Sequence, residues 1–147
     1  MSQVPMSFHD HLTLAFAHLD QEQYADALSH LHKAQALGEN TKLHVGFAMC
    51  YFDSFEQSRL PCLLDRAIAE AKNAVDLYDC QFDSQFLLAQ YLSTRYQLVK
   101  APEDRERAVE AFHKSKTLAH QWSDLPLKEI EGRINELVSE IEGGRWN

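Results

Sequence analysis

QYADALSHLHKAQAL, residues 23–37, sets Tyr24, Ala27, Leu28, Leu31, Ala34 and Leu37 on one helical stripe. Spacings of three and four residues bring side chains onto one face of an α-helix. The same kind of stripe returns in DRAIAEAKNAVDL at residues 65–77 and in ERAVEAFHKSKTL at 106–118. Aligned, the segments superimpose Ala27, Ala67 and Ala108, then Ala34, Ala74 and Ser115, then Leu37, Leu77 and Leu118, with offsets of 40 and 41 residues in every column. A fixed period in this range points to stacked supersecondary units, each of which buries its apolar face only against a neighbour.

Outward from these stripes, every remaining segment also reads as helix. Residues 7–19 form helix one, with Ser7 as N-cap, Asp10 in the first turn, and Phe8, Leu12, Ala15 or Phe16, and Leu19 on one face. Gly38 ends helix two as a C-terminal cap. Helix three runs over 41–58, and its LHVGFAMCYFDSF is apolar nearly all round, the mark of a helix enclosed on several sides. Gly46 in its middle costs about 1 kcal/mol relative to alanine, so a close approach by a neighbouring element is expected there. Leu60-Pro61 breaks the pattern, and helix four covers 62–79. Helix five begins at Phe82 or Asp83, the latter a natural cap, and runs to Val99. Helix six covers 102–120 after the Lys100-Ala101-Pro102 loop. Trp122, Ser123 and Asp124 make a turn before helix seven, 125–142, which Pro126 opens and Gly143-Gly144 stops. No segment alternates apolar and polar residues, which predicts seven helices, no sheet and one all-α domain.

Composition narrows the function. At 147 residues and 45% hydrophobic, the chain holds enough apolar surface for a core. A net charge of −8 without a lysine or arginine run gives no general drive toward nucleic acid or anionic lipid. No run of about 18 apolar residues and no basic-then-apolar leader is present, so a soluble cytoplasmic protein is expected. Cys50, Cys62 and Cys80 form no CxxC, which fits a reducing compartment.

With Leu14-Ala15 as a large-then-small pair, Tyr24 at the turn, and Ala27, Leu31 and Ala34 on the second helix, the first segment resembles the tetratricopeptide repeat family. Val45-Gly46 with Ala67, Ala71 and Ala74 matches in a second unit, and Leu88-Ala89 with Ala108, Phe112 and Ser115 in a third. The units depart from the family's period of about 34 residues. Gly38, Tyr78 and Ala119 stand where the family closes with proline, and His11 replaces its initial tryptophan, whereas His18 fits the place of its usual tyrosine. The resemblance implies a right-handed superhelix of about three antiparallel hairpins, at 8–38, 41–79 and 83–120, with a C-terminal capping helix. It also implies a concave groove lined by the first helix of each hairpin. The candidates are Leu12, Phe16 and Asp20 on helix one, and Leu43, Phe47, Cys50 and Tyr51 on helix three. Phe86, Gln90, Ser93 and Thr94 follow on helix five. Leu12, Phe16 and Phe47 stand where relatives that clamp a terminal carboxylate place lysine and asparagine, so apolar anchors of a partner protein are the expected ligand.

Catalysis is not expected. No GxSxG elbow and no GxxxxGK[ST] loop occurs, and no cofactor is implied. Among eight histidines, none are paired at i and i+4 in the manner of helical zinc sites. His11 and His18 share a face at a spacing of seven, while His30 and His32 point away from each other. The competing reading is a small metal- or ligand-binding protein using His9, His11 and His18. Leu127, Ile130, Ile134, Leu137 and Ile141 recur at spacings of 3, 4, 3 and 4. That stripe suits either a cap over the last hairpin or a coiled-coil seam for homodimerisation and structural self-association.

Overall fold

The computed structural model describes residues 4–121 and 126–143. Among these residues there are seven α-helices and no strand: α1 (Phe8–Asp20), α2 (Tyr24–Leu37), α3 (Thr41–Ser58), α4 (Pro61–Leu77), α5 (Phe82–Val99), α6 (Pro102–Gln121) and α7 (Leu127–Gly143). The turn expected at 122–124, the first residue of the expected capping helix, and Gly144 of its expected stop lie outside the described residues. The chain divides into two compact units, residues 1–77 and 78–147, with the boundary close to the expected end of the second hairpin at 79.

Helix boundaries follow local chemistry. Ser7 Oγ accepts from the Asp10 backbone N–H at 3.1 Å, and Asp10 returns a carboxylate to the Ser7 N–H at 3.2 Å, a capping box that starts α1. Asn40 Oδ1 takes the Leu43 N–H at 2.8 Å and starts α3. α5 starts at Phe82, one of the two expected positions, but its cap differs: Gln81 holds the N-cap position without a side-chain bond, and Asp83 lies inside the first turn. The Phe82 ring stacks on Phe86 one turn later, with centroids 5.2 Å apart. Gly38 does end α2, but in an extended rather than left-handed conformation. The Phe8 ring lies 3.3 Å from where a Cβ would stand, so the position needs room more than torsional freedom.

In the unit of residues 1–77, α1 packs on α2, both meet α3, and α3 packs along α4. Leu12, Ala15 and Leu19, Ala27, Leu31 and Ala34, and Leu43, Phe47 and Cys50 make one core from three helices. α4 buries Leu64, Ala67, Ile68, Ala71 and Ala74. Alanine lets helices approach closely, and each fully buried leucine in such a core contributes about 1.5–3 kcal/mol. Gly46 belongs to this packing: a Cβ there would sit 2.8 Å from Leu31 Cδ2 and 3.4 Å from the Phe16 ring. The close approach expected at this glycine is made by side chains of α1 and α2.

In the unit of residues 78–147, α6 packs between α5 and α7. Ala89, Tyr91 and Leu92 of α5, Ala108, Ala111, Phe112 and Leu118 of α6, and Ile134, Leu137 and Ile141 of α7 are buried. Arg95 forks onto the buried Asp104 through Nε at 2.9 Å and Nη2 at 2.8 Å, tying α5 to the first turn of α6.

The first two repeat columns are core positions: Ala27, Ala67, Ala108, Ala34, Ala74 and Ser115 are all 0% exposed. The third column is not uniform. Leu37 and Leu77 are 57% and 48% exposed, whereas Leu118, on the helix that α7 backs, is 8%. A further correspondence is structural. α3 and α5 both span 18 residues and end in a left-handed basic residue, Arg59 at φ 62° and Lys100 at φ 65°. Each cap N–H bonds the carbonyl of an aromatic residue one turn back, Phe55 or Tyr96, and each cation lies about 5.5 Å from that ring's centroid. Two residues later Pro61 and Pro102 open α4 and α6. All three pairs are offset by 41 residues, the interval of the alanine columns over the same stretch.

Candidate functional site

The expected groove residues divide by depth. Leu12, Leu43, Phe47 and Cys50 are buried in the core, Phe16 and Tyr51 are half-buried, and Asp20 is exposed. Lys42 Nζ stands 5.1 Å from the centroid of the Phe16 ring, and the Arg66 guanidinium 5.6 Å from that of Tyr51. Tyr51 stacks on Phe47 at 6.2 Å, and His32 packs on the same Phe47 at 5.0 Å. Each of these two half-buried rings, one on α1 and one on α3, therefore has a cation beside it. On α5, Ser93 is buried and Phe86, Gln90 and Thr94 are half-buried. Phe86 meets Phe112 edge-on at 5.9 Å, and Thr94 Oγ1 donates to the Gln90 carbonyl at 3.0 Å, so both are engaged within their own unit.

An acidic corner surrounds Asp53. Burial, then Glu56 and Glu22, raises the Asp53 carboxyl above its ordinary value. Burial, then Asp53, Glu22 and Glu56, likewise raises the Tyr24 phenol. The Cys50 thiol is pushed up to about 12, chiefly by burial and then by Asp53, so it is fully protonated at neutral pH and no nucleophile. Cys80 is exposed, and its thiol donates to Asp79 Oδ1 at 3.3 Å, which raises its pKa too.

Histidines gather where α1 lies against α2. His11 and His18 flank His30, with ring centroids 5.3 and 5.4 Å away. Sequence reasoning paired His11 with His18 but missed His30, which the antiparallel register of the hairpin brings between them. His9 is exposed. Among the described residues no three histidine, cysteine or carboxylate groups converge on one point. A second feature missed in the sequence is an open cleft of about 450 Å³ in the unit of residues 78–147. Asp79, Cys80 and Gln85 line one wall, and Glu110, His113, Lys114, Thr117 and Leu118 of α6 the other.

The α7 stripe is largely occupied. Ile134, Leu137 and Ile141 are buried, while Leu127 and Ile130 are half-exposed. Lys116 donates to Asn135 Oδ1 at 3.1 Å, and His120 meets Glu131 at 3.0 Å, further joining α7 to α6. Among the described residues no helix is long and apolar enough to cross a membrane. Compared with known proteins, the chain matches no family model, and no curated protein is significantly similar to it.

Proposed function

We propose that this chain is a non-catalytic protein-interaction module of tetratricopeptide-like architecture, an adaptor or chaperone that binds an apolar segment of a partner protein. The observation that carries the reading is the half-exposure of Phe16 and Tyr51 on the first helices of the two hairpins in residues 1–77. Aromatic rings held on rigid helices and open on one side are the usual anchors of binding energy. Lys42 and Arg66 beside the rings favour a segment that pairs its apolar anchors with acidic neighbours. The recurring alanine columns and the matched ends of α3 and α5 support a repeat. The largely buried stripe of α7 favours a cap over a homodimer seam.

The test is a displayed library of short peptides with apolar and acidic positions varied, followed by titration of the selected peptides. Phe16→Ala and Tyr51→Ala should each weaken binding at least tenfold with helicity by circular dichroism unchanged. Selected peptides that bind both variants as tightly as the parent chain would place the partner surface elsewhere.

A further inference from the structure

His11 Nδ1 and His30 Nδ1 stand 3.1 Å apart, one donating a hydrogen to the other. Both rings are half-buried and held on the backbones of two packed helices, so this spacing is set by the α1–α2 interface. Zinc–imidazole bonds of about 2.0–2.1 Å at tetrahedral angles hold two ligand nitrogens roughly 3.3 Å apart. The separation in place is thus within a few tenths of an ångström of a two-histidine bite. We propose that His11 and His30 form a two-point site for zinc or a similar imidazole-preferring divalent metal, with water completing the coordination.

The surroundings suit that role. His18 stacks on His30 at an interplanar angle of 10°, which holds the His30 ring flat. The His18 ring is itself fixed, because its Nδ1 donates to Gln23 Oε1 at 2.7 Å. Such hydrogen-bonded support orients the rings of metal sites. The ring that donates in the metal-free pair shifts its hydrogen from Nδ1 to Nε2, a tautomer exchange with no net proton release. Lys33 opposes an incoming cation, whereas Asp26 and the net charge of −8 attract one.

Zinc alone is the probe, titrated calorimetrically into the full chain at pH 7.5 with the exposed Cys62 and Cys80 alkylated. One equivalent should bind. His11→Ala and His30→Ala should each weaken binding at least tenfold, and His32→Ala should leave it unchanged. Long-range proton–nitrogen spectra of the unsubstituted chain give a readout independent of any variant: zinc should move the Nδ1 resonances of two rings, those of His11 and His30. No binding, binding that survives in the His11→Ala/His30→Ala double variant, or unmoved Nδ1 resonances would each overturn the proposal.

Discussion

His44 on α3 is hydrogen-bonded through Nδ1 to Glu70 of α4 at 2.7 Å, and its Nε2 is held by Glu39 at 2.9 Å. Ionised carboxylates only accept, so both bonds form together only when the buried imidazole is protonated on both nitrogens. Burial pushes its pKa down, but the bonds to Glu70 and Glu39 outweigh burial, and the net shift is upward. A histidine whose folded value stands above its unfolded value of about 6.5 adds stability that is complete below that pH. The contribution is lost as pH rises through the folded value. Urea unfolding of the parent chain and of His44→Gln should therefore differ most near pH 6, with the gap narrowing toward alkaline pH. Comparison with the variant removes the opposite trend expected from His30, whose pKa burial and then Lys33 lower. Glu70→Gln should cost about 1–2 kcal/mol at pH 6 through loss of the charged partner.

Gly46 sets two effects of similar size against each other. Alanine in its place gains about 1 kcal/mol of helix propensity. The added methyl meets Leu31 Cδ2 at 2.8 Å, and Leu31 is fully buried. Overpacking of this kind costs typically about 1–3 kcal/mol. Gly46→Ala is expected to destabilise the chain by about 1 kcal/mol. In Gly46→Ala/Leu31→Ala the new methyl partly fills the space vacated by leucine. The double variant should then be more stable than the two single losses predict, and a double-mutant cycle in denaturant would measure the coupling.

Gly132 on α7 offers the contrasting case. It is exposed, and nothing lies within 4 Å of where a Cβ would stand. Only propensity remains, so Gly132→Ala should stabilise α7 by about 0.5–1 kcal/mol. Thermal unfolding should shift upward, and an unchanged or lowered midpoint would mean that this glycine serves something other than the helix.

The seven helices were legible because their signals are local: Ser7 with Asp10, the prolines at 61 and 102, and the stripes at helical period. The alanine columns also identified core positions correctly, since those residues have no bulk to place anywhere but between helices. The leucine column was a poorer guide, because whether Leu37, Leu77 or Leu118 is covered depends on what packs beyond the helix, not on the helix itself. The groove residues show the same limit. Leu12, Phe47 and Tyr51 look alike in a list of apolar positions, yet only Tyr51 keeps part of its ring open. His30 was missed for a different reason. Its partners lie on the preceding helix, and only the hairpin register that sets His18 opposite Gln23 also sets His11 opposite His30. The left-handed caps at Arg59 and Lys100 had no glycine to announce them, although a basic residue four after an aromatic and two before proline marks both.

Those two caps invite a paired measurement. A non-glycine residue in the left-handed region costs about 1–2 kcal/mol, and Arg59 and Lys100 recover part of this by placing a cation over Phe55 or Tyr96. Such a contact is worth about 0.5–1 kcal/mol at an exposed site. Arg59→Ala keeps the strained backbone and removes the cation, so a loss of about 0.5–1 kcal/mol is expected. Arg59→Gly relieves the strain but gives up the contact and adds unfolded-state entropy of about 0.5–1 kcal/mol, which leaves it close to the parent chain. Glycine should thus exceed alanine in stability by about 1 kcal/mol at residue 59, and the same order should hold at residue 100. Because the two positions stand in equivalent places of their hairpins, matching differences in urea midpoints would show that the 41-residue repeat extends to energetics. An alanine variant as stable as glycine at either cap would show that the left-handed turn carries no strain there.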